Sequence, residues 1–446
     1  MTAVSPSTHG HAPHDLWPTS AQIAVRARHS LAGGTSRTPL STLPFPVYAQ
    51  RASGSQITLV DGGDLTDMVF NYTASAAGHA HPQIVAAATD RISRGAPFGM
   101  ASEDEIYLAE RLCARVDAID RVRFTNSGSE ATLLAIRVAR AHSGKKLIAK
   151  AEGSYHGSHD LVDVSVRNLH ESLYGPYPET RGLPTELVSL VVLLPFNDLD
   201  GTIRQLERHA GELAVVFVEA YQNAPGNIPA SAEWLRGVAA WCSANDVLLA
   251  VDEVASFRTS YGGAHADFGV RPDLVCLGKL LGGGFPIGAV GGREDVMSAF
   301  DPRRPDVLQH AGTFNGHSAA MAAGCAMLDI LDEAAIESMN RLGGRLREGV
   351  AQIGRDNHLP LLATGYGSVG NIHFAASPPL NGREALKHSR PELKQRLYWR
   401  LLERGFLIAA RGMFATSVAT TGTEVDAFLA ALADCVGDSF DTEGGV

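Results

Sequence analysis

Cysteine and charge are both scarce in this chain of 446 residues, and each scarcity excludes a class of protein. The five cysteines are scattered, odd in number and form no Cys-x-x-Cys pair. This argues against a disulfide framework or a structural zinc site, so no metal is expected and a cytoplasmic location is favoured. Charged residues make up 19% of the chain, with 38 Lys and Arg against 48 Asp and Glu. Without a basic run, nucleic acid is not expected as a main partner.

Long apolar runs are missing as well. The longest lies around residues 188–196 and has the length of a strand, so no membrane span or membrane partner is expected. The first residues lack the apolar segment of a secretory signal, and residues 1–25 are expected to form a flexible tail. Glycine is in surplus, with 46 residues, which indicates many sharp turns or close approaches of backbone to a ligand.

Short apolar runs alternate with amphipathic stretches through the middle of the chain. The runs predicted to be strands are 147–149, 188–194, 214–218, 247–251 and 274–277. Helical patterns lie between them, for example over 130–141 and 232–244. This alternation predicts an α/β fold with a mostly parallel sheet and helices on both faces. Ligands of such sheets bind just beyond the carboxyl ends of the strands.

Changes of pattern along the chain indicate its domain organisation. An N-terminal segment over 26–75, with a hairpin-like Asp-Gly turn, is expected to join the smaller domain. Residues 76–330 are expected to form the large, ligand-binding domain. Residues 331–446 carry helical patterns and short strands, and they are expected to form a smaller α+β domain.

One candidate site is the start of a predicted helix. Ser127, Gly128 and Ser129 follow a strand-like run and precede the helical stretch that begins at Glu130. Small residues at a helix amino end leave free N–H groups beside the positive end of the helix dipole, which suits a phosphate. A plain N-cap is the alternative, because Ser and Asn favour that position without any ligand. Thr313 lies at a second helix start with the same two interpretations.

Two charged residues follow predicted strands. Asp252 ends the apolar run at 247–251, where a buried carboxylate needs a partner such as a cationic ring nitrogen; the alternative is a loop cap. Lys279 follows the run at 274–277 and precedes three glycines, so its amine is expected to have a lowered pKa and to attack a carbonyl. The alternative is an ordinary surface lysine. Tyr155, after the strand at 147–149, could stack on a flat ligand or pack on the surface.

Together these residues form a phosphate loop, a stacking ring, a carboxylate and an imine-forming lysine at one edge of the predicted sheet. That combination meets the needs of pyridoxal phosphate, which must have its phosphate anchored, its ring stacked, its ring nitrogen kept protonated and its aldehyde bound. A joint coincidence is far less probable than any single alternative interpretation, so the sequence favours an enzyme.

With these residues in place, the sequence resembles the class III aminotransferases, a branch of the fold type I pyridoxal phosphate enzymes, over about residues 30–435. The matching motifs, in family order, are Gly78-His79-Ala80-His81-Pro82, Asn126-Ser127-Gly128-Ser129-Glu130-Ala131, Tyr155-His156-Gly157, Val218-Glu219, Asp252-Glu253-Val254, Gly278-Lys279 and Gly312-Thr313-Phe314. The resemblance implies a seven-stranded-type sheet with a smaller α+β domain, and pyridoxal 5′-phosphate as the cofactor.

The same resemblance implies roles for individual residues. Lys279 is the expected Schiff-base lysine, Asp252 the partner of the pyridine nitrogen, and Tyr155 the stacked ring. Thr313 is expected to reach the phosphate bound in the partner subunit of a homodimer. The cofactor-binding residues implied in this way are Ser127, Gly128, Ser129, Tyr155, His156, Glu219, Gln222, Asp252, Lys279 and Thr313.

Within the class, the sequence is similar to the glutamate-1-semialdehyde aminomutase-like subgroup, which includes β-amino acid (β-phenylalanine) aminotransferases. Arg411 falls where those enzymes meet the substrate carboxylate, and Arg37 lies in a segment similar to their N-terminal substrate segment. Residues 219–223 and 253–258 depart from the usual family pattern, and both stretches are expected to border the substrate.

The expected reaction moves an amino group from an amino acid to an α-keto acid, with β- and aromatic amino acids as candidate donors. Lys279 would act as general base and acid after the substrate amine displaces it. The competing hypotheses are an aminomutase or a racemase, which needs no external acceptor, and a non-enzymatic binding protein that kept the fold. The expected small-molecule partners are an amino acid and a keto acid.

Overall fold

The computed structural model describes residues 13–167 and 175–437. Its centre is a seven-stranded sheet, which confirms the α/β prediction. In spatial order the strands are Arg121–Thr125, Gly288–Gly292, Leu274–Gly278, Leu248–Asp252, Leu213–Val218, Leu147–Ala151 and Val191–Leu194. Only Gly288–Gly292 runs antiparallel to its neighbours in this sheet. The central strands are buried along their whole length, so they read as continuous apolar runs.

Helices cover both faces of this sheet and build the remaining layers. Those of eight or more residues are Pro18–Ser30, Pro82–Ser93, Glu103–Arg115, Gly128–Ser143, Leu199–His209, Ala232–Ala244, Ser318–Ile330, Glu333–Asp356, Pro391–Glu403 and Gly422–Gly437. Shorter helices are Pro13–Leu16, Thr185–Val188, Asn223–Gly226, Ala264–Asp267, Glu294–Met297 and Gly382–Lys387. Among the described residues, no helix is both long and apolar enough to cross a membrane.

Two smaller sheets flank the large one. Leu361–Thr364, Val369–Phe374 and Met413–Ala415 form one of them. The other joins Ala49–Ser53, Gln56–Leu59, Asp64–Asp67 and Phe406–Leu407. This second sheet pairs a hairpin from the N-terminal segment with a strand more than 300 residues away, because Phe406 lies beside Thr66 in parallel register. The N-terminal segment and the C-terminal region therefore share one apolar core.

Part of the expected N-terminal tail is structured. Residues 1–12 lie outside the described residues, whereas Pro13–Leu16 and most of Pro18–Ser30 fall within the expected tail and are helical. The indole of Trp17 explains this difference, since it is buried against Trp399 with 5.4 Å between ring centroids. A carboxylate secures the same helix start, because Asp61 accepts hydrogen bonds from the backbone N–H of Thr19 and of Ser20.

Candidate active site

Three ionisable residues lie where neighbouring strands of the central sheet end. Asp252 is the last residue of its strand, while Glu219 and Lys279 directly follow theirs. These three strands are adjacent and parallel, so their carboxyl ends meet at one edge. The electrostatic effects agree with this placement, because both Asp252 and Glu219 raise the pKa of Lys279 against the larger effect of burial.

A buried histidine holds the Asp252 carboxylate. The Nδ1 of His156 lies 2.9 Å from Oδ2 of Asp252, and the backbone N–H of Val254 donates to Oδ1 at 3.0 Å. Burial lowers the pKa of His156 despite the opposing effect of Asp252, so its ring is neutral and donates through Nδ1–H. His156 was expected at the cofactor; the structure places it against Asp252, with its Nε2 buried and without a partner in the described residues.

The backbone of Lys279 is strained. Its φ is +49°, a left-handed conformation that costs a non-glycine residue about 1 kcal/mol or more. The preceding glycine allows the close packing that fixes this turn, because a Cβ on Gly278 would lie 3.3 Å from the Cα and N of Gly128. Burial lowers the pKa of Lys279 to about 8, and the Arg411 cation acts in the same direction. The lysine is therefore held in place with an amine that titrates near neutral pH.

The contact between Gly278 and Gly128 brings the expected phosphate loop to the same edge. Helix Gly128–Ser143 begins there, and Ser127 caps it by accepting from the N–H of Glu130 at 3.1 Å. The backbone carbonyl of Ser127 accepts from Ala131, so the N–H groups of Gly128 and Ser129 remain available at the helix start. The loop has no room for larger residues, since a Cβ on Gly128 would lie 2.9 Å from the methyls of Val254.

Glu219 and Gln222 present polar atoms that the protein itself does not satisfy. Gln222 donates through Nε2 to the carbonyl of Glu152 at 2.7 Å and to the hydroxyl of Ser154 at 3.1 Å. Its Oε1 and the Oε1 of Glu219 are buried without a hydrogen-bond partner among the described residues. Burial, with the charge of Asp252 in support, raises the pKa of Glu219 to about 8. Unsatisfied buried polar atoms at one edge indicate a polar ligand.

Tyr155 lies between two residues that are fixed at this edge. Ser154 contacts Gln222 and His156 contacts Asp252, so the backbone of Tyr155 lies beside the same strand ends. Tyr155 is 40% exposed, which leaves its ring free to stack on a ligand.

Arg411 lies beside Asn223, the residue that follows Gln222. Its Nη2 donates to Oδ1 of Asn223 at 3.0 Å, and its guanidinium carbon is 5.7 Å from the centroid of the Tyr72 ring. Its Nε is buried without a partner in the described structure, and burial lowers its pKa to about 10. The neighbouring Asn223 belongs to the stretch 219–223 that departs from the family pattern, so that stretch contacts Arg411.

Arg37 is exposed, in the segment that precedes the short 3₁₀ helix Thr38–Leu40. The hydroxyl of Tyr72 donates to the carbonyl of Pro39 at 3.0 Å. Burial raises the pKa of Tyr72, and the charges of Arg411 and Arg37 both lower it. Tyr72 therefore stands between the two arginines expected to bind substrate.

Thr313 lies in an exposed stretch of the chain. Its loop is attached to the phosphate loop, because Asn126 donates to Oδ1 of Asn315 at 2.8 Å. The following residue, Phe314, is 55% exposed. The structure thus brings this loop beside the helix start while presenting Thr313 outward.

The sequence reasoning missed the turn that carries Tyr72. Four successive residues, Phe70 to Thr73, have positive φ, a left-handed conformation that costs about 1 to 2 kcal/mol for each. Asp67 accepts from the N–H groups of Val69 and Phe70 at 2.8 Å, and its other oxygen lies 2.7 Å from Nε2 of His79. The Asp67 contacts to the turn are local, two and three residues along the chain, so Asp67 is the signal that the sequence offers for this turn. The contact with His79 spans 12 residues and leaves no such signal.

Arg258, which is buried, also stabilises this left-handed turn. It donates to the carbonyl of Thr73 at 3.2 Å, to the hydroxyl of Ser368 at 2.9 Å and to the carbonyl of Thr416. Arg258 therefore ties the turn to the C-terminal sheet. It lies in the second stretch that departs from the family pattern, residues 253–258.

Known proteins resemble this chain over almost its whole length. The family described as Aminotransferase class-III matches residues 39–436. A glutamate-1-semialdehyde 2,1-aminomutase of Methanothrix thermoacetophila is 35% identical over 391 residues, which cover 87% of this chain and 89% of that protein.

Solved structures extend this similarity to the fold. An omega-transaminase from Sphaerobacter thermophilus has a TM-score of 0.89 at 39% identity, covering 94% of this chain and 97% of the other. A β-phenylalanine aminotransferase from Variovorax paradoxus has a TM-score of 0.88 at 32% identity, covering 95% of each chain. A transaminase with bound pyridoxal phosphate has a TM-score of 0.89 at 34% identity, covering 94% and 97%. The fold type I prediction is confirmed.

The residues at the strand ends fit the cofactor of this family. A helix start with free N–H groups suits its phosphate, Lys279 suits its aldehyde, and Asp252 suits its ring nitrogen. The buried polar atoms that lack a protein partner lie beside them. The chain belongs to the class III aminotransferase family, enzymes that use pyridoxal phosphate to act on small-molecule amino acid and keto acid substrates.

Proposed function

We propose that this enzyme transfers the amino group of a β-amino acid, aromatic ones included, to an α-keto acid, with Lys279 as the catalytic lysine. The observation that carries the proposal is the meeting of Lys279, with a pKa lowered to about 8 by burial, and Asp252, held by His156, at adjacent strand ends. Pyridoxal phosphate, when bound, supplies an electron-withdrawing ring that stabilises negative charge on the carbon that bears the amino group.

Lys279 has two tasks in this proposal. Its amine would hold the aldehyde of the cofactor, and a substrate amine would free it. The freed amine then moves a proton from the amine-bearing carbon of the substrate, and a pKa of about 8 suits both the acceptance and the return of that proton. The left-handed backbone at Lys279 fixes where the amine can reach.

Asp252 and the phosphate loop orient the cofactor. The Asp252 carboxylate, fixed by His156 and the N–H of Val254, would keep the ring nitrogen protonated and so maintain the pull on electrons. The N–H groups of Gly128 and Ser129 would bind the phosphate, and Ser127 borders it. Tyr155 would stack on the ring, and the unsatisfied Oε1 of Gln222 would accept from the ring hydroxyl.

We propose a homodimer in which Thr313 reaches the phosphate of the partner subunit. The exposure of Thr313 supports this, since an exposed residue is accessible to a second subunit. Apolar side chains are exposed in the same area: Phe314, Phe98 and Met100 are 55%, 46% and 84% exposed. Such a surface is typical of a protein interface. A hydrogen bond between the hydroxyls of Ser318 and Ser102 joins the two segments that carry these residues.

The division into domains remains a proposal, with a large domain over 76–330 and a small one formed by 331–446 together with 26–75. The shared core of the N-terminal and C-terminal segments supports it. A cytoplasmic location is proposed as well, because the five cysteines are free thiols.

Arg411 and Arg37 are proposed to bind the carboxylate of the substrate. A β-amino acid carries its carboxylate one carbon beyond the reacting carbon, and the similarity to the Variovorax paradoxus β-phenylalanine aminotransferase supports this donor class. The charge of Arg411 lowers the pKa of Lys279, so a carboxylate bound to Arg411 would offset that effect on the reacting amine.

The test is a screen of α- and β-amino acid donors, each with and without a keto acid. We expect many turnovers of an aromatic β-amino acid only when a keto acid is present. Without it, conversion stops at about one equivalent of enzyme for a transferase, because the amino group stays on the cofactor. Repeated turnover without a keto acid would instead identify an aminomutase or a racemase, and the similarity to aminomutases makes that arm necessary. The donor assignment fails if only α-amino acids react.

A further inference from the structure

A second cation lies beside Arg411. Lys394 is in the first turn of helix Pro391–Glu403, and its Nζ donates to Oδ1 of Asn371 at 3.3 Å. The same Oδ1 lies 3.3 Å from the place that a Cβ on Gly412 would occupy. The ammonium of Lys394 therefore reaches the turn that carries Arg411.

Neither cation has a counter-charge from the described residues. No Asp or Glu oxygen in residues 13–167 and 175–437 lies within 4.0 Å of Lys394 or Arg411, whereas Arg383, on the neighbouring short helix, is paired with Glu152. Lys394 and Arg411 contact neutral groups instead, among them Asn371, Asn223 and the carbonyl of Ala224. The Nε of Arg411 is buried without any partner there.

This arrangement is unfavourable unless a bound anion completes it. Both side chains are partly buried, where a charge without a counter-charge is unfavourable. Two adjacent cations add their mutual repulsion, and burial together with Arg411 lowers the pKa of Lys394 to about 8. His373, packed on the neighbouring strand, cannot supply a negative charge. The physical requirement is for a carboxylate or another anion.

The chain lengths of the two substrates indicate why two cations would be useful. The carboxylate of a β-amino acid is separated from the reacting carbon by one methylene. In a dicarboxylic keto acid such as 2-oxoglutarate, two methylenes separate the reacting carbon from the distal carboxylate. Arg411 donates to Asn223 and Lys394 donates to Asn371, so the two cations stand at separate positions. A substrate with a second carboxylate can contact the second cation, and a substrate without one cannot.

We propose that Lys394 extends the Arg411 site into a two-cation subsite that binds the distal carboxylate of a dicarboxylic keto acid. The inference rests on the proposed function, because it assigns the acceptor of that reaction. It makes Lys394 a substrate-binding residue that selects 2-oxoglutarate over pyruvate, which has no distal carboxylate.

The kinetic test compares the purified holoenzyme with Lys394→Met and Lys394→Arg, using one fixed donor. In the wild type, kcat/KM for 2-oxoglutarate should exceed that for pyruvate at least about tenfold. Lys394→Met should raise KM for 2-oxoglutarate about tenfold while kcat, KM for pyruvate and KM for the donor change less than about threefold. Lys394→Arg should restore much of the loss. Lys387→Met, at an exposed lysine of the same region, is the matched control and should change nothing.

A binding measurement separates failure of this inference from failure of the proposed function. Glutarate, which carries two carboxylates, should raise the melting temperature of the wild-type holoenzyme more than butyrate does, and Lys394→Met should abolish that difference. If no keto acid supports turnover, the proposed function fails while the glutarate comparison still decides the role of Lys394. Equal use of pyruvate, an equal effect of Lys394→Met on both acceptors, or glutarate binding that survives the substitution would each overturn the inference.

Discussion

Lys150 lies in a strand of the central sheet, and Lys279 directly follows another strand of it. Burial has the same effect on the pKa of both lysines, but their surroundings differ. Burial lowers the pKa of each to about 8. Lys150 is fully buried in strand Leu147–Ala151, and its Nζ donates to the carbonyls of Val162 and Val164 at 3.1 and 2.7 Å. Lys279 stands at a strand end with strained backbone and a partly exposed side chain. A lowered pKa alone therefore does not identify a catalytic lysine; position and access decide.

The largest effect should come from removing each amine in turn. We expect Lys279→Ala to reduce turnover by about 10⁴-fold or more, since the covalent hold and the proton carrier are lost together. Lys150→Met should leave kcat within about threefold but lower the free energy of unfolding by about 1 to 3 kcal/mol, because two buried carbonyls lose their donor. Steady-state kinetics and denaturant unfolding measure the two effects. A folded Lys150→Met protein without activity would reverse the assignment.

The carboxylates near the two lysines should differ in the same way. Asp252→Asn removes the negative charge held by His156, and we expect about a 10²- to 10³-fold loss in kcat with saturating cofactor. Asp163, between Val162 and Val164, is the matched residue, because its charge, like those of Glu219, Glu179 and Glu152, raises the pKa of Lys150 against the larger effect of burial. Asp163→Asn should change kcat less than about threefold. Similar losses in both variants would mean that the charge at the strand ends has no special role.

The smallest effect, about tenfold, concerns pH. In cofactor-free protein the deprotonated amine of Lys279 should react with acetic anhydride at a rate that rises about tenfold between pH 7 and pH 9 and levels off above a pKa of about 8. The sign follows from the lowered pKa, because the reactive neutral form is already dominant above pH 8. An exposed lysine with an ordinary pKa near 10.4 should keep gaining about tenfold per pH unit over that range. Lys150 should remain unlabelled; peptide mass spectrometry resolves the three cases.

Local patterns in the sequence were enough to predict the parallel strands of the central sheet, the helix start at Gly128 and the residues at strand ends, but not the antiparallel strand Gly288–Gly292. Buried parallel strands must be apolar throughout, and a helix start must be capped, so both leave short-range signals. The strand predicted over 188–194 begins later, at Val191, because Thr185–Val188 forms a helix first. Periodicity cannot place such a boundary when both elements are short and apolar.

The rest of the site depends on contacts between distant positions. His156 and Asp252 are 96 residues apart, and Lys394 and Asn371 meet only because a C-terminal helix packs against the small sheet. The left-handed turn at Tyr72 needs Asp67 on one side and Arg258 on the other. Asp67 has a short-range spacing to the turn, but the other pairs have no spacing that a sequence pattern could report, because side chains from separate elements must first pack together.

The left-handed turn also links catalytic competence to assembly of the whole chain. Its four residues oppose their own backbone preference, so the turn persists only while Arg258 and the Asp67 and His79 pair are both in place. Arg258 bonds at the same time to Thr416 and Ser368, near the C-terminal end. The Tyr72 ring, which lies beside Arg411, is therefore in place only when three separate stretches of the chain have packed together. A partly folded chain could contain the lysine and its sheet and still be unable to recognise a carboxylate.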